Sequence, residues 1–593
     1  MKKINKILFI VPMHITFDSY INPPSNARHF RKSDGKIYNS LVTDLPLGFM
    51  SMSAYLKKYI NVDIKLIDFN VELNLADEFP FENFEDYCQY FLSGYDYEPD
   101  IIGISSLFSP SFHNFIDVAK VSRRIYPDAL ILGGGNIPSS MYHHIYSELN
   151  CDFFDALCYG EGEIPMLGLV KANDKRHYLK ESTSWVTKQK VDDDFIPSHN
   201  FIEDLDEIPF YDYDLRDIKK HGHNPAMSAL AAIDNQKGFH VMTSRGCPFK
   251  CTFCASHKVH GRSMRYHGID RVRSDFTRLK EEYGATTVIF QDDHLMGNID
   301  RVYEILKIIK DLHLESVFQN GLTLYALDKK MLNAFYDAGV RQLVLPVESG
   351  SAKVLKHSMR KPLKLSISKR VADDCRDLGI YTNTNILIGM PGETKEDIEE
   401  GRRNLRTIHS NWFHIVCASP LVGSEMNEIA VKNNYLKGDT LGADYRKAVV
   451  ETEDFTADYI QEMQYIMNLE LNFIYNNDIK FGEYDQALKG LLNVIRVKKD
   501  HSFAYYYASL CFIGKKEYKE AEAHMLNAIK YCNIGNWWKY IDYFGLPKDE
   551  WMKFNLNGLE AHLNKIQNMD EDVHINSNNK LNPISVDKEE LNI

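Results

Sequence analysis

"SRGCPFKCTFCASHK", residues 244–258, places Cys247, Cys251 and Cys254 within eight consecutive positions. A structural zinc site closes a tetrahedron with four ligands, and a disulfide uses two. Three thiols at a CxxxCxxC spacing therefore point to a metal centre left one ligand short. The plainer alternative is a zinc site completed by His257 or His260 of "CASHKVH".

The triplet follows the strand candidate "HVMTS", the first of a βα series running from about residue 239 to 430. "TTVIFQDD", "SVFQNGL", "RQLVLPVES", "TNTNILIGMP" and "WFHIVCASP" read as its later strands, with helical stretches such as "DRVYEILKIIKDL" and "DKKMLNAFYDAG" between them. Six such units predict a partial (βα)6 barrel over 236–440, with the cysteines at the end where barrels hold their chemistry. Thiolates suit iron–sulfur clusters. A cubane cluster needs one attachment per iron, so three protein ligands leave one iron open.

Ahead of the barrel, residues 1–175 alternate strand and helix. "KILFIVP", "VDIKLIDF", "PDIIGISSL", "ALILGGG" and "DFFDALCYGEGE" carry the strands, and the fold class expected is α/β with a doubly wound, Rossmann-like parallel sheet. "GISSL" (103–107), "LGGG" (132–135) and "YGEGE" (159–163) end three successive strands with small residues, which let a planar ligand approach the backbone. Residues 176–235 read as a linker with a hairpin. After a helical connector (441–475), Tyr484 and Tyr518, Ala487 and Ala521, Leu491 and Met525, and Ile495 and Ile529 recur at 34 residues. That period is the tetratricopeptide signature, expected over 476–545. A helix and a disordered polar tail complete the chain from 546 to 593.

Bulk composition narrows the class. At 593 residues the chain is too long for one core, and three or four domains are expected. A net charge of −13 and a pI near 5.9 argue against nucleic-acid or anionic-membrane binding. No apolar run reaches membrane-span length, and "MKKINKILFIVPMH" is cut short by Pro12 without a cleavage site, so it reads as a first strand. The remaining seven cysteines follow no framework spacing, so a reducing cytoplasm is expected.

The triplet, with Phe253 before its last cysteine, resembles the cluster motif of the radical S-adenosylmethionine (SAM) superfamily. "IFQDDHLM" (289–296), "LPVESG" (345–350), "NILIGMPGE" (385–393) and "ASPLVGSE" (418–425) resemble that superfamily's later strands, in order. The resemblance implies a 4Fe–4S cluster on Cys247, Cys251 and Cys254. It also implies SAM contacts from Phe253, Asp292, Asp293, Glu348, Ser349, Ile388 and Gly389. A doubly wound domain before such a barrel resembles the cobalamin-binding class, which implies contacts from Ser105, Leu107, Gly133, Gly134, Gly135, Gly160 and Glu161. The D-x-H-x-x-G loop that supplies a cobalt-binding histidine in many cobalamin proteins is missing. His14 is the nearest substitute and is not assigned as a ligand on sequence alone.

The resemblance implies a cobalamin-dependent radical SAM enzyme, most simply a class B methyltransferase. It would act on a carbon of a small-molecule or carrier-bound intermediate through a 5′-deoxyadenosyl radical and methylcobalamin. A flavodoxin- or ferredoxin-type electron donor is implied, and the repeats offer a surface for a protein partner or dimer contact. The alternative in the same class is a cyclase or ring-rearranging enzyme without net methylation. A more distant one is a metal-stapled adaptor that catalyses nothing, against which the strand-end carboxylates count. A methylthiotransferase would need three further cluster cysteines. Cys88, Cys151 and Cys158 are the only candidates, and none ends the first strand.

Overall fold

The computed structural model of the chain describes residues 5–23, 29–216, 237–438, 441 and 447–568. In the N-terminal part, β1 (Asn5–Val11), β2 (Val62–Asp68), β3 (Ile101–Ser105), β4 (Leu130–Gly134) and β5 (Ala156–Cys158) lie parallel in the order β2-β1-β3-β4-β5. The strands are apolar almost throughout because helices cover both faces of a parallel sheet. Leu8 and Ile10 pack with Ile102, Ile104 and Phe115 on one face; Ile7 and Phe9 pack with Ile101, Leu132 and Trp185 on the other.

β6 (Trp185–Val186) adds an antiparallel edge to β5, so the sheet takes in a strand beyond the stretch read from the sequence. It does so in place of a hairpin. Among the described residues of 176–216, β6 has no partner other than β5, and residues 217–236 lie outside the description.

The second βα series gives six parallel strands in two ladders of three. One holds β7 (Gly238–Val241), β8 (Thr287–Phe290) and β9 (Glu315–Phe318); the other holds β10 (Gln342–Glu348), β11 (Tyr381–Ile388) and β12 (Trp412–Cys417). Backbone pairing is interrupted between β9 and β10, where the expected partial barrel had one continuous wall. β9 is four residues long, and β10 contains Pro346, which lacks an N–H, and a register shift between Pro346 and Glu348. Helices follow the strands on the outside. The one over Lys395–Leu405 starts on a capping box between Thr394 and Asp397, directly after the GMPGE turn.

A partial barrel leaves an open edge, here β12, and an open edge invites mispairing. The C-terminal helices seal it. From the turn after the helix Ala457–Leu469, the Asn472 side chain accepts from the Phe413 N–H at 2.7 Å and donates to the Phe413 carbonyl at 2.8 Å, as a neighbouring strand would. Gln464 donates to the Ile415 carbonyl at 2.7 Å. Buried Glu470 accepts from Arg402 at 2.7 Å and also from Arg406, tying the same segment to the helix between β11 and β12. Helices Tyr484–Val497, Ser502–Gly514 and Tyr518–Ile534 pack beyond it, and the polar tail from residue 569 lies outside the described residues.

Asn472→Ala strips both partners from Phe413 in a buried setting. A loss of roughly 2–6 kcal/mol is expected, from two unmade buried hydrogen bonds at about 1–3 kcal/mol each. It should read out as a melting temperature several degrees lower. An unchanged melting curve would show that the edge is not held this way.

Candidate active site

The cysteine loop is bracketed before it begins. Ser244–Arg245 pair antiparallel with Arg265–Tyr266, closing residues 246–264 into a loop. Between bracket and cysteines, Gly246 has φ +91°, and a Cβ there would fall 2.2 Å from the Ser263 carbonyl oxygen, so only glycine fits. Inside the loop, Thr252 donates its N–H to the Met359 carbonyl at 3.0 Å and its hydroxyl to Ser358 at 2.6 Å, which anchors the loop to the exit of β10.

Cys247, Cys251 and Cys254 are half-buried and line one cleft. Among the described residues no three His, Cys, Asp or Glu side chains converge as a site for one metal ion. His260, a candidate fourth zinc ligand, is instead held by the Glu161 carboxylate at 2.8 Å. With His260 held elsewhere, the donors at the cleft are three half-buried thiols, a set that suits a cluster taking each thiolate on a different iron. Burial pushes the Cys247 thiol up to about 11 and raises that of Cys251, so metal binding here releases protons.

The cleft encloses about 930 Å³ of atom-free space, part of it open to solvent. Phe253, Asp293 and Glu348, three of the expected SAM contacts, line it with the cysteines. Glu348 stands at the β10 register shift with φ +71°, a backbone state that costs of order 1–3 kcal/mol for a residue with a side chain. Its carboxylate is buried 3.4 Å from the Lys361 ammonium; burial raises its pKa and Lys361 opposes the rise. Lys361, Asn320, His294 and Tyr325 also line the cleft and were not singled out from the sequence. Lys361 lies thirteen residues past Glu348, beyond the π-helical turn Val354–Ser358, and no periodicity marks it.

Four expected SAM contacts lie off the cleft lining. Asp292 is buried and accepts from the Thr243 N–H, the Thr243 hydroxyl at 2.7 Å and the Ser244 hydroxyl at 2.6 Å. Ser349 accepts from the Ser351 N–H at 3.1 Å, and Ile388 is core. Gly389, with φ +87°, has its N–H on Glu393 Oε2 at 2.7 Å, and a Cβ there would meet Ile460 at 2.9 Å. The inner wall below is polar. Pro346 lines the cleft, and the ladder places Asn385 and then His414 beside it, facing the same side.

At the strand ends of the N-terminal sheet the expected contacts divide. A Cβ on Gly134 would meet nothing within 4 Å, Ser105 is half-buried, and Leu107 and its neighbour Phe108 are 51% and 47% exposed. These positions form an open apolar shelf that fits a large planar ligand. Gly133 packs under Phe115 and Leu157; Gly135, at φ +102°, meets the Ser106 carbonyl; Gly160 is covered by His199. Glu161 is spent elsewhere. It accepts from Arg265 at 2.6 Å and His260 at 2.8 Å and pairs with Arg245 at 3.0 Å, all within the protein, and these cations hold its pKa far below the usual carboxylate range against the effect of burial. Cys88, Cys151 and Cys158 are each buried.

The comparisons agree with this geometry. Residues 241–403 match the family model of the radical SAM superfamily, and residues 43–170 match the B12 binding domain. The chain is thus a cobalamin-dependent radical SAM enzyme, with a 4Fe–4S cluster, SAM and cobalamin as its cofactors. Cytidylyl-2-hydroxyethylphosphonate methyltransferase of Streptomyces wedmorensis is 26% identical over 428 residues, covering 66% of this chain and 78% of that protein. The anaerobic magnesium-protoporphyrin IX monomethyl ester cyclase of Rubrivivax gelatinosus is 26% identical over 326 residues, covering 53% of this chain and 56% of that protein. The fold is similar to that of the cobalamin-dependent SAM radical enzyme OxsB, solved with aqua-cobalamin and SAM. The TM-score is 0.54 at 14% identity, covering 95% of this chain and 84% of that one. Among the described residues no helix is long and apolar enough to cross a membrane.

Changing Cys247, Cys251 and Cys254 together to Ala should abolish iron binding and the broad visible absorption after anaerobic reconstitution, with the circular dichroism spectrum unchanged. Stoichiometric zinc without iron in the wild type would reverse the cluster assignment. Glu393 gives a pH test. Burial pushes its carboxyl up to about 7, against the Met390 and Gly389 N–H groups that favour the charged form. A carboxyl raised in the folded state adds stability below the unfolded pKa, and that stability drains away as the pH climbs through the folded value. The melting-temperature difference between wild type and Glu393→Gln should therefore shrink from about pH 4.5 to about pH 7 and level off above. A flat difference would mean that Glu393 is not buried as a neutral acid.

Proposed function

We propose that the enzyme methylates a carbon centre of a small-molecule or carrier-bound biosynthetic intermediate. One observation carries this: the cysteine cleft with buried Glu348 belongs to one βα series and the open shelf at Gly134 to the other, and the buried Glu161–Arg245 pair joins the two. The cofactors supply reductive cleavage of SAM and a transferable methyl group; the protein's part is to bind, orient and exclude water. Glu348 and Lys361 would hold the polar parts of SAM, and Asp293 fixes the cysteine loop by accepting the Gly246 N–H at 3.1 Å. Asn385 and His414 present neutral hydrogen-bonding groups to the lumen, which favours an uncharged polar group on the substrate portion seated there.

The C-terminal helices support a tetratricopeptide-like reading, because Ala487, Leu491, Ala521 and Met525, all members of the 34-residue match, are buried between helices. Their outer surface would serve a protein partner or dimer contact, and an external low-potential carrier would deliver electrons in the cytoplasm. The similarity to a cyclase keeps a ring-forming reaction without methylation as the second reading.

A methylating enzyme of this kind consumes SAM twice, once for the radical and once to remethylate cobalt. With the true substrate, 5′-deoxyadenosine and S-adenosylhomocysteine should accumulate together near one-to-one, whereas a cyclase leaves S-adenosylhomocysteine at background. The open space at Gly134 means that Gly134→Leu should fold, block cobalamin and remove S-adenosylhomocysteine while some 5′-deoxyadenosine persists. 5′-Deoxyadenosine alone from the wild type with its true substrate would establish the cyclase reading.

A further inference from the structure

The chain is acidic as a whole, yet the segments around the cysteines are not. Residues 246–269 and 349–372 contain no aspartate or glutamate, although the chain holds 82 in 593 residues and has a net charge of −13. The second stretch carries seven lysines and arginines. The fold joins the two stretches. Thr252, next to Cys251, donates its N–H to the Met359 carbonyl at 3.0 Å and its hydroxyl to that of Ser358 at 2.6 Å. Arg262 donates to the Phe249 carbonyl, which brings it beside Lys250.

Lys250, Arg262, Lys356, His357, Arg360 and Lys364 are exposed, and none of them lines the cleft. Two acids stand nearby, on the helix Glu425–Lys432, whose Met426 N–H donates to the Thr252 carbonyl at 2.8 Å. Both are engaged: Glu425 pairs with Arg360, and Glu428 lies 4.0 Å from Lys258. Lys361 is turned to Glu348 in the cleft. Lys250, Arg262, Lys356 and Lys364 meet no carboxylate among the described residues. Four uncompensated cations thus sit on and beside a loop whose cysteines line the cleft.

We propose that this basic surface docks the electron donor, a small acidic protein carrying one electron at low potential, whose carboxylates meet Lys250, Arg262, Lys356 and Lys364. SAM takes the cleft side of the cysteines, so a protein donor approaches from a surface outside the cleft. This surface is hydrogen-bonded directly to the residue after Cys251. On a chain of net negative charge an acidic protein is repelled from most of the surface and drawn to the one patch of opposite sign, which speeds encounter and fixes orientation. Electron-transfer encounters need only a small interface, and a patch of this extent supplies one. In the docked pair one electron leaves the carrier and enters the cluster. The carrier is oxidised by one and the cluster reduced by one, with no atom exchanged. The assignment rests on the reading that an external carrier supplies the electron.

The test uses the full chain with its cluster reconstituted anaerobically, and a purified flavodoxin and a purified ferredoxin as donors. Lys250→Glu, Lys356→Glu and Lys364→Glu are combined in one variant. Donor binding and the rate of cluster reduction by the donor should each fall about tenfold or more at low ionic strength, with the gap closing as salt screens the charges. Carbodiimide cross-links from donor carboxylates to the wild type should fall on Lys250, Lys356 or Lys364; being read on the wild type, they decide the matter even if the variant loses its cluster. Photoreduced deazaflavin, a neutral reductant, should reduce the clusters of both proteins at equal rates. The docking surface is overturned if a donor binds and reduces both proteins alike, or if the cross-links fall on other lysines, and the external-carrier reading then stands. If neither donor binds the wild type or reduces its cluster while deazaflavin does, both fall.

Discussion

The molecule turns on one buried carboxylate. Glu161 lies just past the last parallel strand of the N-terminal sheet and takes Arg245, Arg265 and His260, while its neighbour Glu163 takes the other end of Arg245 at 2.8 Å. Glu161, Glu163, Arg245 and Arg265 are all buried. Taking such charges out of water is expensive, and the cluster is tolerable only because each finds its counter-charge; removing one partner of a buried pair costs about 3–5 kcal/mol. Arg245 stands two residues before Cys247. The strand-end turn of one domain and the first residue of the cluster loop are therefore one electrostatic unit. That unit couples the strand ends of the N-terminal sheet to the start of the cysteine loop.

How much of this could be read from the chain follows from range. The three cysteines and Phe253 are local pattern, legible in the sequence, and the structure gathers them at one cleft. The Asp292–Asp293 pair shows the limit. Successive residues in extended backbone point to opposite sides, so a paired acid at a strand end sends one carboxylate into the cleft and the other behind it. Asp293 faces the cysteines, while Asp292 turns back to hold Thr243 and Ser244. Sequence could count two acids there but not tell them apart. Glu161 misled for a different reason: a Gly-Glu-Gly turn looks like a ligand loop until its partner Arg265, 104 residues away, is seen. Lys361 and Asn320 were missed because single residues in loops carry no period.

The C-terminal helices make the same point in reverse. Their 34-residue self-match is legible in the sequence, but the contact that satisfies β12 is carried by Asn472, outside that match. An amide side chain has both a donor and an acceptor, so it can stand in for one residue of a missing strand. Something other than a further strand thus satisfies the edge of β12.

A common device underlies both candidate sites. The loops at both sites are held by buried hydrogen bonds to main-chain groups: Asn70 and Asn114 around the loop after β1, and Asp292 at the residues leading into the cysteine loop. Such bonds gain strength in a low-dielectric interior and make no demand on the groups that face the ligand. Glu348 shows what that leaves free. Its backbone is strained and its carboxylate is buried with one weakly placed ammonium, an arrangement that an incoming polar ligand would relieve. Rigid loops fastened from behind, with under-satisfied polar groups in front, favour ligand binding because the cost of order has already been met in folding.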